Sequence, residues 1–200
     1  MRYPLIRVFA LGALAVASAS CGSIARQGRS PAYLVVDSVS GAEGLASPVP
    51  SDVVTNVTSP APCTPATPCE TIINDLGEAV LRAEMKDPTL TIDPTPTNDI
   101  TIFRYHVSYR RSDGRNTEGI DVPFAFDGAS TATIRVGGTT TVPFELVRAV
   151  AKEETPLVNL RSSASIVTTI ADVTFYGRDQ AGNTVSVTGL IQVNFGNFAP

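Results

Sequence analysis

Between Ser165 and Phe195 the chain reads SIVTTIADVTFYGRDQAGNTVSVTGLIQVNF, two segments of alternating character around a polar loop, Arg178 to Thr184. In the first segment Val167, Thr169, Ala171, Val173 and Phe175 share one parity, and in the second Val185, Val187, Ile191 and Val193 do. Side chains of a strand leave alternate faces of the pleat, so this spacing marks two half-buried strands. Setting Gly177 opposite Val185 brings Phe175 to Val187 and Ala171 to Ile191, with both apolar rows on one face. A slip of one residue would turn one row to water, which selects this register. Gly182 supplies the left-handed conformation that such a loop needs. The segment is a hairpin, and its apolar face requires a second sheet to cover it.

Working backwards, Ile100 to Arg110 reads as the central strand, with Phe103, Tyr105, Val107 and Tyr109 on one face and Arg104, His106, Ser108 and Arg110 on the other. Asp113-Gly114 turns the chain, and Ile120, Val122, Phe124 and Phe126 alternate on a return strand that Pro123 confines to a sheet edge. Thr131 to Val136 and Thr141 to Val150 are two further strands, while Lys152 to Asn159 reads as a polar loop. Ala32 to Ser38 is the expected first strand. Gly77 to Asp87 (GEAVLRAEMKD) has helix-favouring residues, yet Ala79, Leu81, Ala83 and Met85 alternate with polar neighbours, and in a β context we read it as a strand. The expected architecture is all-β: an antiparallel sandwich of about seven or eight strands over residues 32–200.

Composition agrees. The 200 residues include 15 Gly and 15 Pro and no Trp, so the core is expected to be mostly Val, Ile, Leu and Phe. A formal charge of -4 argues against nucleic acid as a partner, which calls for a basic footprint. Residues 41–70 form a Pro-rich excursion with at most one short edge strand, Asp52 to Val57. Within it Cys63 and Cys69 enclose Thr-Pro-Ala-Thr-Pro. A disulfide suits this pair better than zinc, because His106 is the only His and no further ligands present themselves.

The N-terminus reads as a targeting segment. Arg2 and Arg7 precede an apolar run, Val8 to Ala17, too short for a stable membrane span. Small residues then lead into Cys21-Gly22-Ser23. This arrangement resembles a bacterial lipoprotein signal, which implies cleavage after Ser20, lipidation of Cys21, a tether over residues 21–31 and a membrane anchor. Gly22 in place of the Asp of inner-membrane-retained lipoproteins implies the outer membrane. Ser18 departs from the larger aliphatic residue usual three positions before the Cys, and Ala17-Ser18-Ala19 also fits ordinary cleavage after Ala19, giving a soluble secreted or periplasmic chain. Removing Met1 to Ser20 takes two of the 15 basic residues and none of the 19 acidic ones, leaving -6.

The strand pattern, the Asp179 to Asn183 turn and the final Val193-Asn194-Phe195 resemble bacterial Ig-like or fibronectin type III-like sandwiches. The resemblance is architectural and names no ligand. The chain lacks the Trp and inter-sheet Cys pair of antibody domains. It implies a non-enzymatic structural or protein-binding module with an envelope protein as partner, the alternative being carbohydrate binding. The residues point to no cofactor. A catalytic His could only be His106, and no nucleophile motif accompanies it. Asp87, Asp93 and Asp99 lack the spacing of a calcium loop. Arg104, His106, Arg110, Arg111 and Arg115 form a basic group that would suit an anionic partner; the competing reading is a solvated sheet face.

Overall fold

The computed structural model describes residues 28–89 and 93–198. The expected targeting segment, Cys21 and most of the expected tether lie outside the described residues. Two sheets face each other. The smaller contains, in spatial order, β1 (Ala32–Gly41), β5 (Asp75–Met85) and β9 (Thr139–Val147). The larger runs from β2 (Val49–Asp52) through β11 (Thr184–Gly196), β10 (Val167–Asp179) and β6 (Ile100–Arg110) to β7 (Phe126–Gly128), with β8 (Ala132–Ile134) also on β6. A separate ribbon pairs β3 (Thr55–Val57) with β4 (Cys69–Thr71). Among the named strands of the described residues, pairings are antiparallel except β2 on β11, which is parallel.

The closing hairpin has the expected register: Gly177 faces Val185, Phe175 faces Val187 and Ala171 faces Ile191. Gly182 turns the loop at φ 84°, and Asp179 accepts from the Asn183 backbone and side chain, both at 2.8 Å. β5 is a strand despite its helical composition, because Ala79, Leu81 and Ala83 are wholly buried between the sheets and its backbone is paired on both sides. Rings from both sheets meet at the centre, where Phe144 of β9 packs edge-on to Phe175 of β10 with centroids 5.6 Å apart.

Five local expectations are corrected. In β6 the pairing with β10 shifts between Tyr176 and Gly177, so that Arg104 faces Tyr176 and Ile102 faces Gly177. Phe103 is the extra residue of this bulge. It stands 38% exposed while Ile100 and Ile102 are buried, because one inserted residue inverts the parity of everything before it. The proposed return strand from Ile120 is instead a coil. Backbone bonds from Ile120 and Asp121 to the Thr117 carbonyl, and from Gly119 to the Val122 carbonyl, fold it locally. Val122 and Phe126 anchor that coil in the core while Ile120 and Phe124 remain exposed. The strand placed over Thr141 to Val150 ends at Val147, and α1 (Ala149–Glu153) follows. The stretch after it is not simply polar: Lys152, Leu157 and Leu160 are all buried, and a 3-10 turn (Leu157–Leu160) carries the last two inward. Finally, the single edge strand placed over Asp52 to Val57 is divided between β2 and β3.

Candidate functional site

The basic group read from β6 does not assemble into a free positive surface. Asp127 of β7 takes Arg104 Nη1 and His106 Nδ1 on one carboxylate oxygen, each at 3.2 Å. Arg110 bonds Asp172 of β10 at 2.9 Å. Arg111 and Arg115 both close on Asp113 in the turn between them, and these bonds hold the Asp113 carboxyl well below its ordinary range. The face is a lattice of paired charges, with Thr174 and Thr188 hydroxyls 2.9 Å apart between its strands. Arg104 also lies over the Tyr176 ring at 4.1 Å, and Arg178 over the Phe103 ring at 4.6 Å. His106 therefore sits half-buried beside an ion pair, sharing Asp127 with the Arg104 guanidinium.

The charged cluster that the sequence did not reveal lies between the sheets. Lys152 of α1 is 0% exposed, and its Nζ donates to Asp75 Oδ1 at 2.8 Å. Ser51 of β2, also 0% exposed, donates its hydroxyl to Asp75 Oδ2 at 2.5 Å. Asp75 opens β5, where the register with β9 shifts. The preceding Asn74 accepts the first backbone N–H of α1, that of Ala149, at 2.6 Å, so β5 positions the turn of helix that delivers Lys152. Burial pushes the Asp75 carboxyl up, against the opposing pull of the Lys152 ammonium and the Ser51 hydroxyl. Tyr109 donates to the Leu146 carbonyl nearby, and burial, reinforced by the Asp75 charge, drives its phenol far above the ordinary value.

Chemically this cluster is a tie. A serine nucleophile needs a base beside its hydroxyl and room for a substrate, whereas Ser51 and Lys152 are both closed to solvent. The cluster joins β2, on the edge of the larger sheet, to β5 of the smaller one and to α1. Among the described residues, no group of three or more His, Cys, Asp or Glu side chains is placed to hold a metal.

The other distinctive surface is the ribbon. Cys63 and Cys69 are joined in a disulfide, Thr64 and Thr67 exchange backbone bonds at 3.0 and 3.1 Å, and β3 pairs β4 beneath them. No residue from 55 to 74 is buried.

No family model matches the chain, and no curated protein matches it. Among solved structures, the Northeast Structural Genomics Consortium target SoR45 is similar at 11% identity and a TM-score of 0.36, covering 82% of this chain and 86% of that one. A superposition of that quality does not establish a common fold.

Proposed function

We propose that this chain is an extracytoplasmic lipoprotein, anchored through Cys21, whose sandwich is a non-enzymatic structural or protein-binding module of the cell envelope. The observation that carries the binding role is the ribbon at 55–71. It is cross-linked and hydrogen-bonded yet contributes no buried side chain to its own domain. Rigid loops on a sandwich are where recognition is usually placed, and a segment that the core does not need is available to a partner. A disulfide also belongs to an oxidising compartment, which supports export. The outer face of the larger sheet offers little to a sugar, because its exposed Phe103 ring and half-buried Tyr176 ring are overlaid by Arg178 and Arg104, so those two faces are not open for stacking.

Two measurements test this reading. Metabolic labelling with palmitate is expected to mark the wild type and not Cys21→Ala; an unlabelled wild type removes the anchor. A photo-cross-linking residue in place of Ala66, which is exposed at the tip of the ribbon, is expected to give one discrete protein adduct in the native envelope. That adduct should disappear in Cys63→Ser/Cys69→Ser. Saturable glycan binding without any adduct would favour the carbohydrate alternative.

A further inference from the structure

The larger sheet has one edge along which no strand of the described residues is hydrogen-bonded, although β1 of the other sheet passes close to it, with Val36 and Val39 against Gly189. β2 pairs β11 only over Val193 to Gly196, leaving residues 184–192 without a strand on that side. The backbone groups facing this opening can be identified. Gln192 donates its N–H to Ser47 Oγ at 3.2 Å, and the Gly196 carbonyl accepts from Val53 N at 2.9 Å, both away from β10. Residues of the same parity turn their groups the same way, so Ser186, Thr188 and Leu190 present N–H and C=O to the open side.

Sheet edges are ordinarily blunted by Pro, charge, bulges or shortness, and the other edges of this sandwich are. β1 has a bulge at Asp37, between Val36 and Ser38. β9 carries Pro143 and β2 carries Pro50. β7 and β8 are three residues each. The stretch TVSVTGLI at 184–191 has no Pro, no charge and no register shift against β10. Beside it the apolar core is only half closed. Val36, Val39, Val185 and Val187 are partly buried, and a cleft of about 320 Å³ opens between Tyr33-Leu34 and Thr184 to Ser186; on the outer face of the same strand, Leu190 is 57% exposed.

We propose that this edge is an interface between two copies of the chain, with residues 184–190 of each pairing antiparallel about a two-fold axis near Val187. Such an axis sets like beside like, which a charged strand resists by self-repulsion and this uncharged one does not. Antiparallel self-pairing also preserves parity: Ser186 meets the partner's Thr188, and Val185 and Val187 extend the apolar row into the second copy. A second copy is the occupant because it brings the same unblunted edge, so both halves of the ladder exist in this chain. A seven-residue pairing is small, and the dimer is expected to be weak and concentration-dependent.

The inference is independent of the anchor and of the ribbon. Sedimentation equilibrium of the full chain in detergent should show a monomer–dimer equilibrium. Ser186→Lys, an exposed position on the outer face that leaves the core alone, should raise the dissociation constant at least about tenfold by placing two like charges diagonally across the axis. Thr188→Pro should do the same by deleting an outward N–H that β10 does not use. Amide exchange at Ser186, Thr188 and Leu190 should slow as concentration rises. A wild type that stays monomeric at roughly 100 μM, or a dimer that both substitutions leave intact, overturns the assignment; circular dichroism of each variant verifies that it folds.

Discussion

Two sets of ion pairs in this molecule use the same groups to opposite effect. The Arg104, His106 and Asp127 row lies on the outer face of the larger sheet, with side chains 34% to 54% exposed. Lys152 and Asp75 meet between the layers, at 0% and 17%. In water the Coulomb attraction is screened and each long side chain gives up rotamer freedom, so the outer row contributes little. Inside, desolvation opposes the pair: the raised Asp75 carboxyl shows burial outweighing the pull of Lys152. The difference teaches that an ion pair's worth is set by what surrounds it. The inner pair is important for what breaking it would leave behind.

The sharpest way to break that comparison is Lys152→Ala. It removes a wholly buried stem and the counter-charge of Asp75, and should destabilise by about 3 to 5 kcal/mol in urea unfolding. The loss should depend on pH. The native state holds the Asp75 proton to higher pH than the unfolded chain, whose carboxyl titrates near ~3.9, so this group's contribution to stability falls as pH rises from there through the folded pKa. Without Lys152 the folded pKa rises further, and the mutant's deficit should widen from acid to neutral pH. A deficit that is flat across that range would show Asp75 to be uninvolved. Replacing the pair together, Asp75→Leu/Lys152→Met, should recover most of the loss.

The same contrast between inside and outside can be tested on neighbouring residues of β6. Ile102→Ala should cost about 2 to 5 kcal/mol, whereas Phe103→Ala, despite the larger side chain, should cost clearly less in the same denaturation assay. Equal losses would remove the bulge. Reduction of Cys63–Cys69 should release no more than about 2 kcal/mol. That loss should be confined to the ribbon, read as faster amide exchange at 55–71 with the core amides unchanged. The smallest effect is expected from Asp127→Asn, under about 1 kcal/mol in thermal unfolding and smaller still at high salt. A loss as large as that of Lys152→Ala would erase the distinction between the two clusters.

What the amino-acid order determined alone was whatever depends on alternation along one segment and on the chemistry of near neighbours. The β10–β11 register followed from parity, because only one alignment keeps both apolar rows on the same side. The strand character of β5 was legible from alternating Ala, Leu and Met, and the Cys63–Cys69 pair from spacing and the lack of other ligands. Tertiary structure decided everything that needs a distant partner. Phe103 leaves the core because β10 imposes a bulge on β6. The arginines of β6 are neutralised by Asp127 and Asp172, far along the chain. Lys152 looked like a loop cation until Asp75, 77 residues earlier, was brought to it. A charge in sequence has no environment. Its meaning comes from which strands lie beside it and whether water remains, and only the packed sheets supply both.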